Sequence, residues 1–260
     1  MAGKLQNRRE KILRLLSEVP ITSTQQLAIA TDVSAETMRK DLDALAEEGR
    51  IIKVHGGVAL ANTVSAMPFD LRAKENIEQK MKIGVTAARL VEKGDAILME
   101  NCTTSLELAK SLTQNLELLQ TLIVVTNSFA IASLFSNGAR CQKLFFLGGW
   151  ANLEEHATHG YQTAKMMKEV HVNKVFISGA AINEQLVVTG YYDDDVVFQQ
   201  TALECAKESI LMVDSSKFEK TAILTVSHLS GMNYLVTDKV LSKEQAQKIA
   251  AINVSYIHAK

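Results

Sequence analysis

From residue 96 onward the chain alternates short, wholly apolar runs with longer stretches of helical periodicity, and few architectures accommodate that pattern. The runs 96–99, 122–125, 144–147, 175–177, 210–213 and 234–236 carry no polar residue. A strand with one wet face would alternate, so these read as strands covered on both sides. Helical stretches fall between most of them, for example 80–91, 106–112 and 196–207. Strands that alternate with helices predict an α/β fold, a Rossmann-like, mostly parallel sheet with helices on both faces. In such a sheet a ligand lies beyond the carboxyl ends of the strands.

The loops at those ends are similar in kind. After 96–99 comes Glu100-Asn101-Cys102-Thr103-Thr104-Ser105 and then a helix, so hydroxyls and backbone N–H groups gather where an anion is favoured. The later runs are followed by Thr126-Asn127-Ser128, Gly148-Gly149, Ser178-Gly179-Ala180-Ala181 and Asp214-Ser215-Ser216-Lys217. A glycine pair lets a ligand approach the backbone. A small phosphorylated molecule suits this set, with Thr103, Thr104 and Lys217 on the phosphate. Each piece alone has a plainer reading, because Ser and Thr after a strand are common helix caps and Gly-Gly is often only a turn.

The first sixty residues have another character. Residues 5–19 read as a helix with Ile12, Leu13, Leu16 and Val19 on one side and Arg8, Arg9, Lys11 and Arg14 toward solvent, ended by Pro20. Ser23 and Gln26 have the spacing of a capping box that opens a short second helix. A third follows, capped by Ser34 and stopped at Gly49, with Met38, Leu42 and Leu45 inward and Ala35, Glu36, Thr37, Arg39 and Lys40 outward. A helix that follows a helix and a short turn is the one that enters a DNA major groove and reads base edges with its early residues. Residues 51–60, apolar on both sides of Gly56-Gly57, predict a β-hairpin wing in which Lys53 and His55 meet phosphates. The plainer alternative is a packing or protein-binding module with a solvated Arg-Lys pair.

Charge alone does not decide this, since the whole chain has a net charge of −1 and residues 1–60 carry nine Lys/Arg against eight Asp/Glu. Placement does, because Glu47 and Glu48 lie at the far end of the third helix from its reading residues. Cys102, Cys141 and Cys205 are odd in number and far apart, which supports neither a disulfide framework nor a zinc ribbon. A reduced, cytoplasmic protein is expected, with no membrane span and no secretory leader.

The run Gln26-Leu27-Ala28, Val33-Ser34, Thr37-Met38-Arg39-Lys40-Asp41-Leu42, Leu45, Gly49 and His55-Gly56-Gly57 resembles the N-terminal domain of the DeoR family of bacterial transcription regulators. Residues 76–258 are similar to that family's sensor domain, related in fold to ribose-5-phosphate and glucosamine-6-phosphate isomerases. The matching pieces are Gly94-Asp95, Thr103-Thr104, Thr126-Asn127-Ser128, Gly148-Gly149, Gly160, Phe176, Gly179-Ala180 and Asp214-Ser215-Ser216-Lys217-Phe218. The resemblance implies operator DNA binding, usually repression of sugar-metabolism genes, and a sugar-phosphate effector. It also marks departures: Glu100 for a usual Asp, Cys102 for Gly, Gln199 for Lys and Ile182 for Gly.

The expected organisation is therefore a winged helix-turn-helix over 1–60, a linker over 61–75 and an α/β effector domain over 76–260. DNA contacts fall to Ser34, Ala35, Glu36, Thr37, Arg39, Lys40, Lys53 and His55. Effector contacts fall to Asn101, Thr103, Thr104, Ser105, Asn127, Ser128, Gly148, Gly149, Gly179 and Lys217. No cofactor or metal is expected, and a homo-oligomer would set two reading helices at matching half-sites. The competing class is an isomerase-like enzyme with a DNA-binding appendage, for which Glu100 is the acid nearest the phosphate loop. No dinucleotide or triphosphate glycine motif is present. His156 and His159, three apart, have the spacing to share a helix face, and Asp193-Asp194-Asp195 precede a helix as acids commonly do.

Overall fold

The computed structural model describes residues 2–18, 22–48, 50–54, 57–60, 69–135 and 140–260. The chain divides into two compact units, Met1–Leu71 and Arg72–Lys260, each taken by itself below.

The first unit contains α1 (Ala2–Glu18), α2 (Thr24–Thr31), α3 (Ala35–Glu47), β1 (Ile51–Val54) and β2 (Gly57–Leu60). The Ser23/Gln26 capping box forms, and Asp32 in the left-handed region (φ 54°) turns the chain between α2 and α3. Ile12, Leu16, Leu27, Met38, Leu42, Leu45, Ile51 and Val58 close one small core. Each fully buried Leu or Ile contributes roughly 1.5–3 kcal/mol, and the wing is part of that core. Val54 pairs with Gly57, and residues 55 and 56 between them lie outside the described residues. Gly57 belongs to β2, where Thr22 exchanges backbone hydrogen bonds with Val58 (3.1 and 3.0 Å). A Cβ at Gly57 would stand 2.4 Å from the Thr22 carbonyl oxygen, so glycine is required by a neighbouring strand segment.

The chain continues through α4 (Phe69–Lys74), which occupies part of the expected linker; 61–68 lie outside the described residues. Then come α5 (Ile77–Ala88), β3 (Ala96–Met99), α6 (Thr103–Leu112), α7 (Leu116–Leu119), β4 (Ile123–Thr126), α8 (Phe129–Leu134) and β5 (Lys143–Phe146). A small hairpin, β6 (Trp150–Asn152) and β7 (Ala157–His159), leads to α9 (Tyr161–Lys168) and β8 (Val172–Ile177). The rest is β9 (Ala181–Ile182), β10 (Val187–Gly190), α10 (Asp193–Glu204), β11 (Ala206–Met212), β12 (Leu224–His228), β13 (Tyr234–Thr237), α11 (Lys243–Ala251) and β14 (Ser255–His258).

Seven of these strands pair in parallel in the order β14-β13-β11-β8-β3-β4-β5. Its faces carry separate cores. Leu98, Val125, Val175, Leu211 and Leu235 point to one, Ile97, Met99, Val124, Phe176, Ile210 and Val236 to the other. That alternation inside the buried apolar runs is why they show no period of two. The run 144–147, expected to be covered on both sides, instead contributes to the edge strand β5, with Leu144 and Phe145 40% and 43% exposed. The chain leaves β3 for β4 and β5 on one side, then returns to β8 on the other. The seam between β3 and β8 is thus the switch point at which an open α/β sheet leaves a crevice. β9, β10 and β12 form an antiparallel side sheet that the sequence reading did not anticipate. Among the described residues no helix is long and apolar enough to cross a membrane.

Candidate DNA-reading helix and effector site

On α3 the buried side holds Met38, Asp41, Leu42 and Leu45. Ser34 caps the helix, accepting from the Thr37 N–H at 3.2 Å. Ser34, Ala35, Glu36, Arg39 and Lys40 are exposed and Thr37 is half-buried, so the six residues form one outward surface. Glu36 and Lys40 pair across one turn at 3.1 Å, a contact so exposed that it contributes little and yields readily to a phosphate. Arg39 makes no ion pair among the described residues.

Two expected features differ. Arg8 and Arg9, read as facing solvent, turn onto α3: Arg8 Nε donates to the buried Asp41 carboxylate, and Arg9 Nη1 to Glu48 at 2.8 Å. A buried acid needs a paired donor, and this pairing fixes α1 against α3. Lys53 of the wing is held by Asp43 of α3, and His55 lies outside the described residues.

In the second unit the loop after β3 builds the helix start. Cys102 is extended (φ −146°), so the Cβ that replaces a usual glycine costs no strain, and its Sγ caps α6 by accepting from the Ser105 N–H at 3.2 Å. Burial first, then the charge of Glu100, pushes the thiol up to about 11, so it stays neutral. Thr103 and Thr104 occupy the first turn of α6, and neither hydroxyl has a hydrogen-bond partner among the described residues. The Asn101 N–H donates to Asn127 Oδ1 (2.9 Å), Asn127 Nδ2 to the Thr158 carbonyl (3.0 Å) and Asn101 Nδ2 to the Glu155 carbonyl (2.9 Å). Asn101 Oδ1 is buried with no partner among the described residues, an acceptor left for something else.

A cation the sequence reading missed has Cys102 within its field. Lys80, on α5, is 5% exposed, and its Nζ donates to the Arg72 carbonyl. Burial lowers its pKa, Asp214 draws it back, and Lys217 lowers it further; Cys102 is also within its field. Lys217, half-buried at the end of a short turn over Ser215–Lys217, is lowered for the same first reason. Lys217 and Cys102, the residue before Thr103, both lie within the field of Lys80, so two cations with lowered pKa values lie near this helix start. The signal was present in sequence: Lys80 shares a helical stripe with Ile83, Gly84 and Ala87, all buried, and a lysine on that stripe must find a partner or a ligand.

At the seam, Glu100 is 5% exposed. Its Oε2 accepts from the Ser178 N–H (3.0 Å) and its Oε1 from Gln199 Nε2 (2.5 Å). Burial raises it to about 8, while those two donors pull the other way. Two departures from the family pattern thus meet each other, the longer acid reaching an amide where a lysine is usual.

The remaining expected residues have packing duties. Ser105 and Ser128 are fully buried, and Ser128 caps α8. The Gly148 carbonyl accepts from Thr163 Oγ1 at 2.9 Å. A Cβ at Gly149 would stand 2.0 Å from that same Oγ1, and one at Gly179 2.6 Å from Val188 Cγ1. Gly149 and Gly179 thus admit protein neighbours, whereas a Cβ at Gly148 would meet only Met166 Sδ at 3.6 Å, an ordinary contact. His156 is in a turn and His159 in β7, not on a helix, and His159 pairs with Asp194 at 2.9 Å. Among the described residues no cluster of His, Cys, Asp and Glu has a metal-binding arrangement.

Comparisons with known proteins agree with both parts. The family model for a DeoR-like helix-turn-helix domain matches residues 8–64, and that for the DeoR C terminal sensor domain matches 75–239. The chain is 28% identical to the HTH-type transcriptional repressor GlcR of Bacillus subtilis, over 88% of this chain and 86% of the relative. It is 28% identical to the lactose phosphotransferase system repressor of Lactococcus lactis subsp. lactis, over 94% of each. Among solved structures, ribose 5-phosphate isomerase A of Methanocaldococcus jannaschii aligns over 56% of each chain, at 19% identity and a TM-score of 0.42.

Proposed function

Since the chain belongs to the DeoR family of DNA-binding transcription regulators, we propose that its second unit senses a small phosphorylated sugar and that occupancy changes operator affinity. The single observation that carries this is the buried Lys80, which lies in the field of Lys217 and of Cys102, the residue that caps the helix opening with Thr103 and Thr104. A dianionic phosphate relieves the desolvation of both cations and accepts from hydroxyls and helix N–H groups together. Residues 1–60 read the operator through the exposed start of α3, and 76–260 hold the effector. Repression of a carbohydrate operon follows the relatives' names, and a cytoplasmic homo-oligomer supplies two reading helices for two half-sites.

Sensing without turnover is favoured by Glu100. Proton abstraction needs a carboxylate free to take the proton. Both oxygens of Glu100 already accept hydrogen bonds, and the 179–183 loop, Gly-Ala-Ala-Ile-Asn, holds no acid. Turnover of a sugar-phosphate panel that Glu100→Gln abolishes would establish the enzyme reading instead.

A thermal-shift screen against pentose and hexose phosphates tests the sensor. A ligand at about a hundred times its Kd stabilises by roughly 2.7 kcal/mol. Arg39→Ala is expected to weaken binding to an operator recovered by selection by roughly 1–3 kcal/mol while leaving that shift intact. Thr103→Val with Lys217→Ala reverses the pattern: operator binding persists and the phosphate-induced shift disappears. Loss of both functions in either variant refutes the division of labour.

A further inference from the structure

The cation that faces the proposed phosphate is also the cap of the segment that leads to the reading head. α4 ends at Lys74, and the last carbonyls of a helix need donors from elsewhere. Lys80 Nζ supplies one, to the Arg72 carbonyl. Arg72 begins the second unit, and its guanidinium pairs with Glu155, whose carbonyl holds Asn101. Asn76, in the left-handed region (φ 49°), donates to Asp214 Oδ1 (3.3 Å) and Ser216 Oγ (3.2 Å). Residues 72–76 are thus fastened at three points, to Lys80, to Glu155 and to the Asp214–Ser216 turn.

An ammonium has three N–H donors. In Lys80 one reaches Arg72; the other two have no partner among the described residues, although the side chain is more than nine-tenths buried. A buried charge so poorly satisfied is costly, and an anion is the partner that ends the cost.

Resting on the effector reading above, we propose that Lys80 is the relay. A phosphate that takes its two spare donors locks the ammonium in place, which fixes the carbonyl end of α4 and stiffens 72–76, the stretch through which sensor occupancy reaches the DNA-reading head. The argument for stiffening over release is donor count: Lys80 serves phosphate and Arg72 together, so the ligand adds a contact without removing one. The anion also stabilises the charged ammonium, which strengthens its bond to the carbonyl.

Hydrogen–deuterium exchange of the full chain, with and without inorganic phosphate and then with hexose and pentose monophosphates, tests this. Expected is slower exchange at 101–106 and at 72–78 together. Slowing at 101–106 with 72–78 unchanged or faster overturns the relay and leaves the sensor standing. No slowing at 101–106 with any phosphate removes the sensor reading and the relay with it. Lys80→Gln, with circular dichroism verifying its fold, is expected to bind phosphate more weakly; with ligand raised until 101–106 is again protected, 72–78 is expected to regain less than half of the parent's protection. Full protection of 72–78 in that variant overturns the relay. Should the variant fail to fold, the wild-type experiment decides alone.

Discussion

Lys174 and Lys80 are both more than nine-tenths buried, and they lie at opposite ends of the same parallel sheet. Lys174, near the start of β8, donates to Asp95 at 2.7 Å and has Glu208 and Glu92 at 3.8 and 4.0 Å. Burial lowers its pKa, and the Asp95 bond with the three acidic charges more than reverses that, leaving it raised. Lys80 has one neutral carbonyl and a more distant acid, so burial prevails and its pKa falls. The amino ends of the strands are closed by a completed ion cluster. The carboxyl ends keep a cation whose partner must come from outside, which is what distinguishes a stabilising end from a binding end.

Substituting the two lysines gives the largest contrast. Lys174→Met leaves Asp95 buried without its cation and is expected to cost about 3–5 kcal/mol, read from urea midpoints. Lys80→Met removes a poorly satisfied charge and should stay within about 1 kcal/mol of the parent while the phosphate-induced shift at a fixed ligand concentration weakens. Equal losses of stability in the two variants would erase the distinction.

A second test sharpens the chemistry of the open end through Glu100. Its folded pKa, raised to about 8 by burial, lies above the ordinary value of 4.5. The stabilisation that the neutral form contributes is complete below about pH 4.5 and is lost as pH rises toward 8. Stability measured across that window should decline by on the order of a few kcal/mol, and Glu100→Gln should flatten the slope. A slope unchanged in the variant would assign the titration to another group.

The contrast between sheet ends also explains what the sequence could and could not disclose. Parallel strands announce themselves because burial on both sides demands unbroken apolar runs, as at 96–99 and 175–177. β14, with Ser255 and His258 in a four-residue edge strand, lacks that demand and was not foreseen. Nor were β9, β10 and β12, whose pairing is set by tertiary register. Arg8 was misplaced and Lys80 missed for one reason: a charged residue in a helix reads as solvated until the partner that buries it is known. Asp41 lies 33 residues from Arg8, and the Asp214 that tempers Lys80 lies in a loop beyond β11. Local spacing placed Ser23, Ser34 and Gln26 correctly because a cap is satisfied within three residues.

The smallest expected effect concerns Cys102, the other ionisable group at the open end. Were it a thiolate, its charge would satisfy Lys80 and no external anion would be needed. Burial and Glu100 instead hold the thiol near 11, and its role is that of a cap, accepting from the Ser105 N–H. Serine performs that role at least as well, with caps of this kind worth about 0.5–2 kcal/mol over alanine. Cys102→Ser should therefore raise the melting temperature slightly or leave it unchanged, and the phosphate-induced shift should stay within about twofold in apparent affinity, roughly 0.4 kcal/mol. A loss of tenfold or more would place the sulfur among the ligand's own contacts. The open end would then owe its anion selectivity to more than the two lysines, and the contrast with Lys174 would need a third charge to explain it.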